Sequence, residues 1–170
     1  MTARECIEKG SAVCGIELGS TNIKAVVTDP AGHVLASGSF GWENSYVDGI
    51  WTYSLEEAFA GLRACYASLR ENIEKQYGVT PASFGAVGIS AMMHGYLPFD
   101  KNGKQISMFQ TWRNTNTQEA ADVLTELFDF NIPLRWSIAH LSQCLLDREE
   151  HLKDLAFLTT LSGCIHERLT

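Results

Sequence analysis

The chain has 170 residues, of which 45% are hydrophobic and 19% charged, and a formal net charge of −7. That supplies enough apolar residues for one cored domain and excludes a disordered chain. The acidic balance excludes a general nucleic-acid binder, which needs a basic stripe to neutralise phosphates. The five cysteines (Cys6, Cys14, Cys65, Cys144 and Cys164) are odd in number, scattered and free of any Cys-x-x-Cys pair. This spacing argues against a disulfide framework and against a zinc site, and leaves most of them as core thiols or fortuitous surface ones.

Residues 1–11 carry Arg4, Glu5, Glu8 and Lys9 with no apolar block behind them. They read as a tail rather than a secretory leader, and with no later run long enough to span a bilayer the expected compartment is the cytoplasm. Three strands follow, at about Ala12 to Leu18, Ile23 to Thr28 and His33 to Phe40. The connections Gly19-Ser20-Thr21 and Asp29-Pro30-Ala31-Gly32 are short enough to make the pairing antiparallel. Ser54 and Glu57 have the form of a capping box. Phe59, Leu62, Tyr66, Leu69, Ile73 and Tyr77 then recur at helical spacing up to Gly78.

After Pro81, the run Ala86 to Ser90 is short and apolar and predicts a buried strand, parallel to its neighbour because a helical crossover reaches it. Tyr96 to Phe99 and Ile106 to Phe109 flank Asp100-Lys101-Asn102-Gly103, a hairpin signal. Asn116 with Glu119 predicts a capped helix with Ala120, Val123, Leu124, Leu127 and Phe128 on its apolar face, stopped by Asn131-Ile132-Pro133. A helix at about Ile138 to Leu146 follows. Apolar-rich pattern then continues through Leu152 to Leu158 and Leu161 to Leu169 with no closing glycine, proline or polar tail, so the chain is expected to be the leading part of a longer protein. No repeat or linker composition divides it, and residues 12–170 read as one α/β unit.

The run Gly15 to Lys24 is the most informative stretch. It sets an acid, Glu17, near the end of an apolar strand, then a tight Gly19-Ser20-Thr21 turn, then Lys24 on the returning strand. Backbone N–H groups in such a turn attract oxyanions, and a nearby carboxylate can hold a divalent metal. It is neither a Walker loop nor a dinucleotide fingerprint, because β-branched residues follow the turn instead of a helix. Seen alone, it is equally an ordinary glycine-serine turn.

Three antiparallel strands, a crossover helix and a further strand, with this hairpin at the front, resemble the ribonuclease H-like half-domain of the actin, hexokinase and Hsp70 folds. Within that group the chain resembles the FGGY carbohydrate kinases, xylulokinase-like and ribulokinase-like members above all. Five stretches carry the resemblance in order: Gly15 to Lys24, Gly49-Ile50-Trp51 before the long helix, Gly88 to Gly95 with Met93-His94-Gly95, Asp100 to Gly103, and Thr111-Trp112-Arg113-Asn114.

The resemblance implies a mixed sheet with three leading antiparallel strands and crossover helices, cut short as an incomplete first domain. It implies ATP and Mg2+ as cofactors, with the γ-phosphoryl group passing to a hydroxyl of a pentulose or similar sugar. By position, Gly19, Ser20, Thr21, Asn22 and Lys24 would bind phosphate or nucleotide, and Glu17 the metal. Met93, His94, Gly95, Trp112, Arg113 and Asn114 would bind the sugar. The set also makes sense on its own chemistry, since a sugar wants an indole to stack on and imidazole, amide or guanidinium groups to sort its hydroxyls.

The family's base aspartate would lie beyond Thr170, so the isolated chain is expected to be inactive. The expected partners are the sugar and ATP, with neither nucleic acid nor membrane; a homodimer of the full-length protein is left open. Two departures stand out: Glu17 replaces the usual aspartate, and Asn114 and Asn116 occupy positions where the family commonly has an acid and an arginine. They favour, as the main rival, a non-catalytic sugar-binding or scaffold protein of the same fold. A ribonuclease H-type nuclease lacks its further carboxylates at Ser90 and His94, and a plain interaction domain leaves the clustering around His94 and Trp112 without a purpose.

Overall fold

The computed structural model describes all 170 residues. In chain order the elements are α1 (Ala3–Glu8), β1 (Val13–Leu18), β2 (Asn22–Thr28), β3 (Val34–Gly41), β4 (Ser45–Val47), β5 (Ile50–Thr52), α2 (Leu55–Tyr77), β6 (Ala86–Ala91), β7 (Gly95–Phe99), β8 (Gln110–Thr111), α3 (Gln118–Phe128), α4 (Ser137–Asp147), a 3-10 turn (Glu150–Asp154), β9 (Phe157–Thr159) and α5 (Leu161–Leu169). They form two compact units, one of residues 1–43 and 55–91, the other of 44–54 and 92–170. The single unit expected from sequence is therefore divided. The chain passes between the units three times in unbroken sequence, so no linker composition marks the boundary.

The first unit is built on a four-stranded sheet of order β3-β2-β1-β6. β1 pairs antiparallel with β2 and parallel with β6, and β2 pairs antiparallel with β3, as the short turns and the helical crossover require. Strict alternation along β1 and β2 buries Cys14, Ile16 and Leu18 with Ile23, Ala25 and Val27. α2 presents one stripe to the sheet, Ala58, Gly61, Leu62, Cys65, Leu69 and Ile73, and packs on β2 and β3. Each fully buried leucine or isoleucine here stabilises the fold by about 1.5–3 kcal/mol. Asn72 Nδ2 donates to the carbonyl of Ser37 at 2.8 Å and Tyr77 Oη to that of Leu35 at 3.0 Å, which fix the helix along β3.

Two expectations change in this unit. The leading residues, read as a tail, include the short helix α1, closed by a reciprocal capping box between Thr2 and Glu5 and burying Cys6 and Ile7. The strand expected to be buried, β6, has its side chains exposed or half-exposed, because α2 packs on β2 and β3 and leaves this edge uncovered.

In the second unit β7 is the buried strand, all five residues inaccessible, at the centre of the order β8-β7-β9. The Asp100 to Gly103 hairpin forms, with Asp100 accepting from the N–H groups of Asn102 and Lys104. Its second arm is irregular, pairing through a lone bridge of Phe99 with Gln105 before β8. β4 and β5 make a hairpin that the sequence reading had not identified. Its turn is Asp48-Gly49, both at positive φ (49° and 84°), the geometry that matches strand twist.

α3 and α4 pack together around Ala121, Leu124, Ile132 and Ala139. α3 begins after Thr117 rather than Asn116, since the Thr117 hydroxyl is used on the carbonyl of Leu134 and Asn116 on Gln110. It ends at Phe128, ahead of the expected stop, where Asp129 adopts the left-handed conformation. All five cysteines are buried and free. No helix is long and apolar enough to cross a membrane.

Candidate functional site

The residues singled out by sequence fall into two groups, one in each unit. In the first unit the β1–β2 turn is closed by the Gly19 N–H donating to the carbonyl of Asn22 at 3.0 Å. Trp42, buried just past β3, braces it: the indole Nε1 donates to the Gly19 carbonyl at 2.8 Å and the Trp42 N–H to the Thr21 carbonyl at 3.1 Å. Ser20, Thr21 and Asn22 stand exposed at the tip.

Glu17 and Lys24 face each other across the β1–β2 ladder, and Ser90 is the register partner of Glu17 on β6. These three help line one open concavity on the sheet face away from the buried side chains, with Gly15, Val26 and Gly88. The Glu17 carboxyl carbon lies 4.0 Å from where a Cβ on Gly19 would sit. Thus the acid and the turn are neighbours. The sequence points to Glu17, Lys24 and the Gly19 to Asn22 turn; it holds no sign of Ser90 beside Glu17 or of Trp42, whose place 23 residues from the carbonyl it binds leaves no local pattern to detect.

In the second unit β7 and β8 pair Gly95 with Thr111 in antiparallel register. His94 and Trp112, the next residue on each strand, therefore leave the ladder at the same end. Trp112 is 42% exposed and Met93 73% exposed, which leaves both free to meet a ligand. Gly95 is structural: its φ is 138°, and a Cβ there would lie 2.6 Å from the Phe109 ring and 2.7 Å from the carbonyl of Gln110. Partial burial first, and then the Arg135 cation, hold the His94 imidazole below its ordinary value. It is neutral at neutral pH, offering one donor and one acceptor nitrogen, the pair that reads a sugar hydroxyl.

Arg113 is exposed but not free-standing. Its guanidinium carbon lies 3.5 Å from the centroid of the Trp51 ring, and Tyr46 packs on Trp51 at 4.8 Å. Asn114 is the clip that holds this stack. Its Oδ1 accepts from the Trp51 N–H at 2.9 Å, and its Nδ2 donates to the carbonyls of Trp51 at 2.8 Å and Thr111 at 3.0 Å. Against the expected direct contact of Asn114 with a sugar stand its burial and the engagement of both its amide hydrogens and of its oxygen. Its work is to present Trp51 and Arg113. Trp51 belongs to the Gly49-Ile50-Trp51 stretch, yet its partnership with Asn114, 63 positions on, has no signal in the sequence.

Three further carboxylates are engaged locally. Asp29 accepts from the N–H groups of Ala31 and His33 and pairs with the His33 ring. Its bonds to His33 hold its carboxyl below the usual range. Asp100 is likewise held low, by its bond from the Lys104 N–H first, and Asp122 accepts from Gln118.

This fold is that of the N-terminal domains of carbohydrate kinases. Residues 12–133 match the model of the FGGY family of carbohydrate kinases, N-terminal domain, and the chain belongs to that family. Among solved structures it is similar to a xyloylose kinase from Brucella ovis (TM-score 0.76, 16% identity, 86% of this chain and 32% of that one). It is also similar to the xylulose kinase from Bifidobacterium adolescentis (TM-score 0.73, 14% identity, 94% and 34%). A third is the glycerol kinase of Plasmodium falciparum with ADP (TM-score 0.66, 15% identity, 84% and 30%). At such identities the likeness concerns the fold alone. The chain spans about a third of the length of these kinases. No curated protein matches its sequence.

Proposed function

We propose that the chain is the leading part of an ATP-dependent carbohydrate kinase, in which it carries the first phosphate loop and part of the sugar site. The observation that supports this most is the shared ladder end of β7 and β8, from which His94 and the exposed Trp112 both continue, within a chain of this family. Such a pair suits a small polyol: the indole covers a C–H face, and His94 both donates to and accepts from adjacent hydroxyls. Met93 adds apolar contact. Trp51 and Arg113 supply a stacked, pre-organised cation.

The exposed Glu17 carboxylate beside the turn fits Mg2+, which takes one or two carboxylates and fills its remaining positions with water and phosphate oxygens. Bound there, the ion would neutralise charge on the phosphoryl group in transit. Lys24, opposite Glu17, and the Gly19 to Asn22 turn hold phosphate oxygens near it. Asp29, Asp100 and Asp122 are engaged in local bonds, and none of the three is assigned as base. Catalysis of this kind rests on positioning and electrostatics.

Steady-state kinetics of the full-length protein test the assignment. His94→Ala should raise the Michaelis constant for the sugar tenfold or more while leaving that for ATP near its original value; an unchanged sugar constant would remove His94 from the site. A sugar that raises thermal stability with no nucleotide turnover in the intact protein would instead favour the non-catalytic sugar-binding reading.

A further inference from the structure

At the end of α4 the chain reverses. Arg148 takes the left-handed conformation (φ 56°) and the Glu149 N–H donates to the Cys144 carbonyl at 3.0 Å. The reversal lays Glu149 and His151, the latter in the 3-10 turn, back over Cys144. A carboxylate oxygen of Glu149, a ring nitrogen of His151 and the Cys144 sulfur all lie within 4.8 Å of one another. His151 Nδ1 is 3.1 Å from Glu149 Oε2, and its Nε2 is 2.8 Å from the hydroxyl of Tyr96 on β7.

A second observation points the same way. His140, one turn earlier on α4, lies on the same face as Cys144 and stacks on the Tyr96 ring at 6.4 Å. It is 1% exposed, and neither of its ring nitrogens has a hydrogen-bond partner. Buried polar groups without partners are rare, and each calls for an ion, a water or a function.

We propose that Cys144, Glu149 and His151 form a binding site for a thiophilic divalent cation, zinc by its donor set, with the fourth position filled by a water; His140 lies outside that group of ligand atoms and is the unpartnered neighbour such a water would serve. Sulfur, imidazole and one carboxylate are the ligands zinc takes in tetrahedral sites. Tyr96 is the outer partner: with the metal on Nδ1, the imidazole proton sits on Nε2 and the Tyr96 oxygen accepts it, which fixes ring and tautomer. Binding releases one proton, the thiol proton of Cys144, to solvent. The absence of a Cys-x-x-Cys pair had argued against zinc. The site escapes that rule because its ligands run Cys-x4-Glu-x-His around a helix end.

The test is a titration of chelator-treated full-length protein with Co2+. A near-ultraviolet thiolate-to-cobalt charge-transfer band should grow to saturation at one ion per chain and disappear when Zn2+ is added. Cys144→Ser should abolish the band. Glu149→Gln, at a side chain 39% exposed whose change leaves the fold intact, should weaken Co2+ affinity at least tenfold. No band in the folded protein, a band that survives Cys144→Ser, or an affinity unmoved by Glu149→Gln would each overturn the proposal. Kinase activity is not needed for any of these readings, so the metal site stands or falls separately from the kinase.

Discussion

A single amide, that of Asn114, ties Trp51 to the loop after β8. Asn114 donates to two carbonyls and accepts from one N–H; a carboxylate could do only the last and would face two carbonyl oxygens. Asn114→Asp should therefore cost at least about 1–3 kcal/mol, because it leaves buried groups unpaired. Urea unfolding followed by tryptophan fluorescence measures this, and wild-type stability in the variant would mean that the clip does not hold Trp51. His94 makes a second prediction at this scale. Burial and then Arg135 lower its affinity for a proton, so Arg135→Gln should move its titration upward, toward the ordinary histidine value, in an NMR pH series. An unmoved midpoint would show that the guanidinium does not act on it.

Where an element sits was harder to read than that it exists. The three leading strands, α2 and α4 were legible within a residue or two, since alternation and the 3.6-residue stripe are local patterns. Burial was not: β6 and β7 are both short and apolar, and only strand order makes one an edge and the other a centre. The β4–β5 hairpin was missed because three-residue strands carry too little pattern. The contact of helix and sheet explains another residue that pattern alone leaves ambiguous. A Cβ on Gly38 of β3 would lie 2.5–2.8 Å from the backbone of α2 at Cys65 and Leu69, whereas one on Gly61 would meet only the side-chain atoms of Ile23 and Phe40. Backbone cannot step aside as a side chain can. Gly38→Ala should thus destabilise by about 1–3 kcal/mol or more through overpacking, and Gly61→Ala by less. Equal losses in denaturant midpoints would contradict the close approach of α2.

At the scale of the molecule, a chain that passes three times between two compact units hides both the division and the site. The paired residues Trp51 and Asn114, or Tyr96 and His151, meet only after long segments have folded between them. His140 gives this scale a pH signature. Burial pushes its imidazole down from 6.5 to about 4, so at intermediate pH the unfolded chain binds a proton that the folded chain refuses. The sign follows: the contribution to stability is complete above about pH 6.5, and it is lost progressively as pH falls toward about 4, by on the order of 3 kcal/mol. His94, also lowered, adds in the same direction. Asp29 and Asp100, held below 3.8, lose their contributions only at still lower pH. With chelator present to keep metal away from the Cys144 cluster, unfolding free energies at pH 7 and pH 4.5 should therefore differ mainly through the two histidines. His140→Met, an apolar side chain of similar bulk, should remove most of that difference, while a pH slope equal to that of the wild type would show that the interior imidazole is protonated in the folded protein.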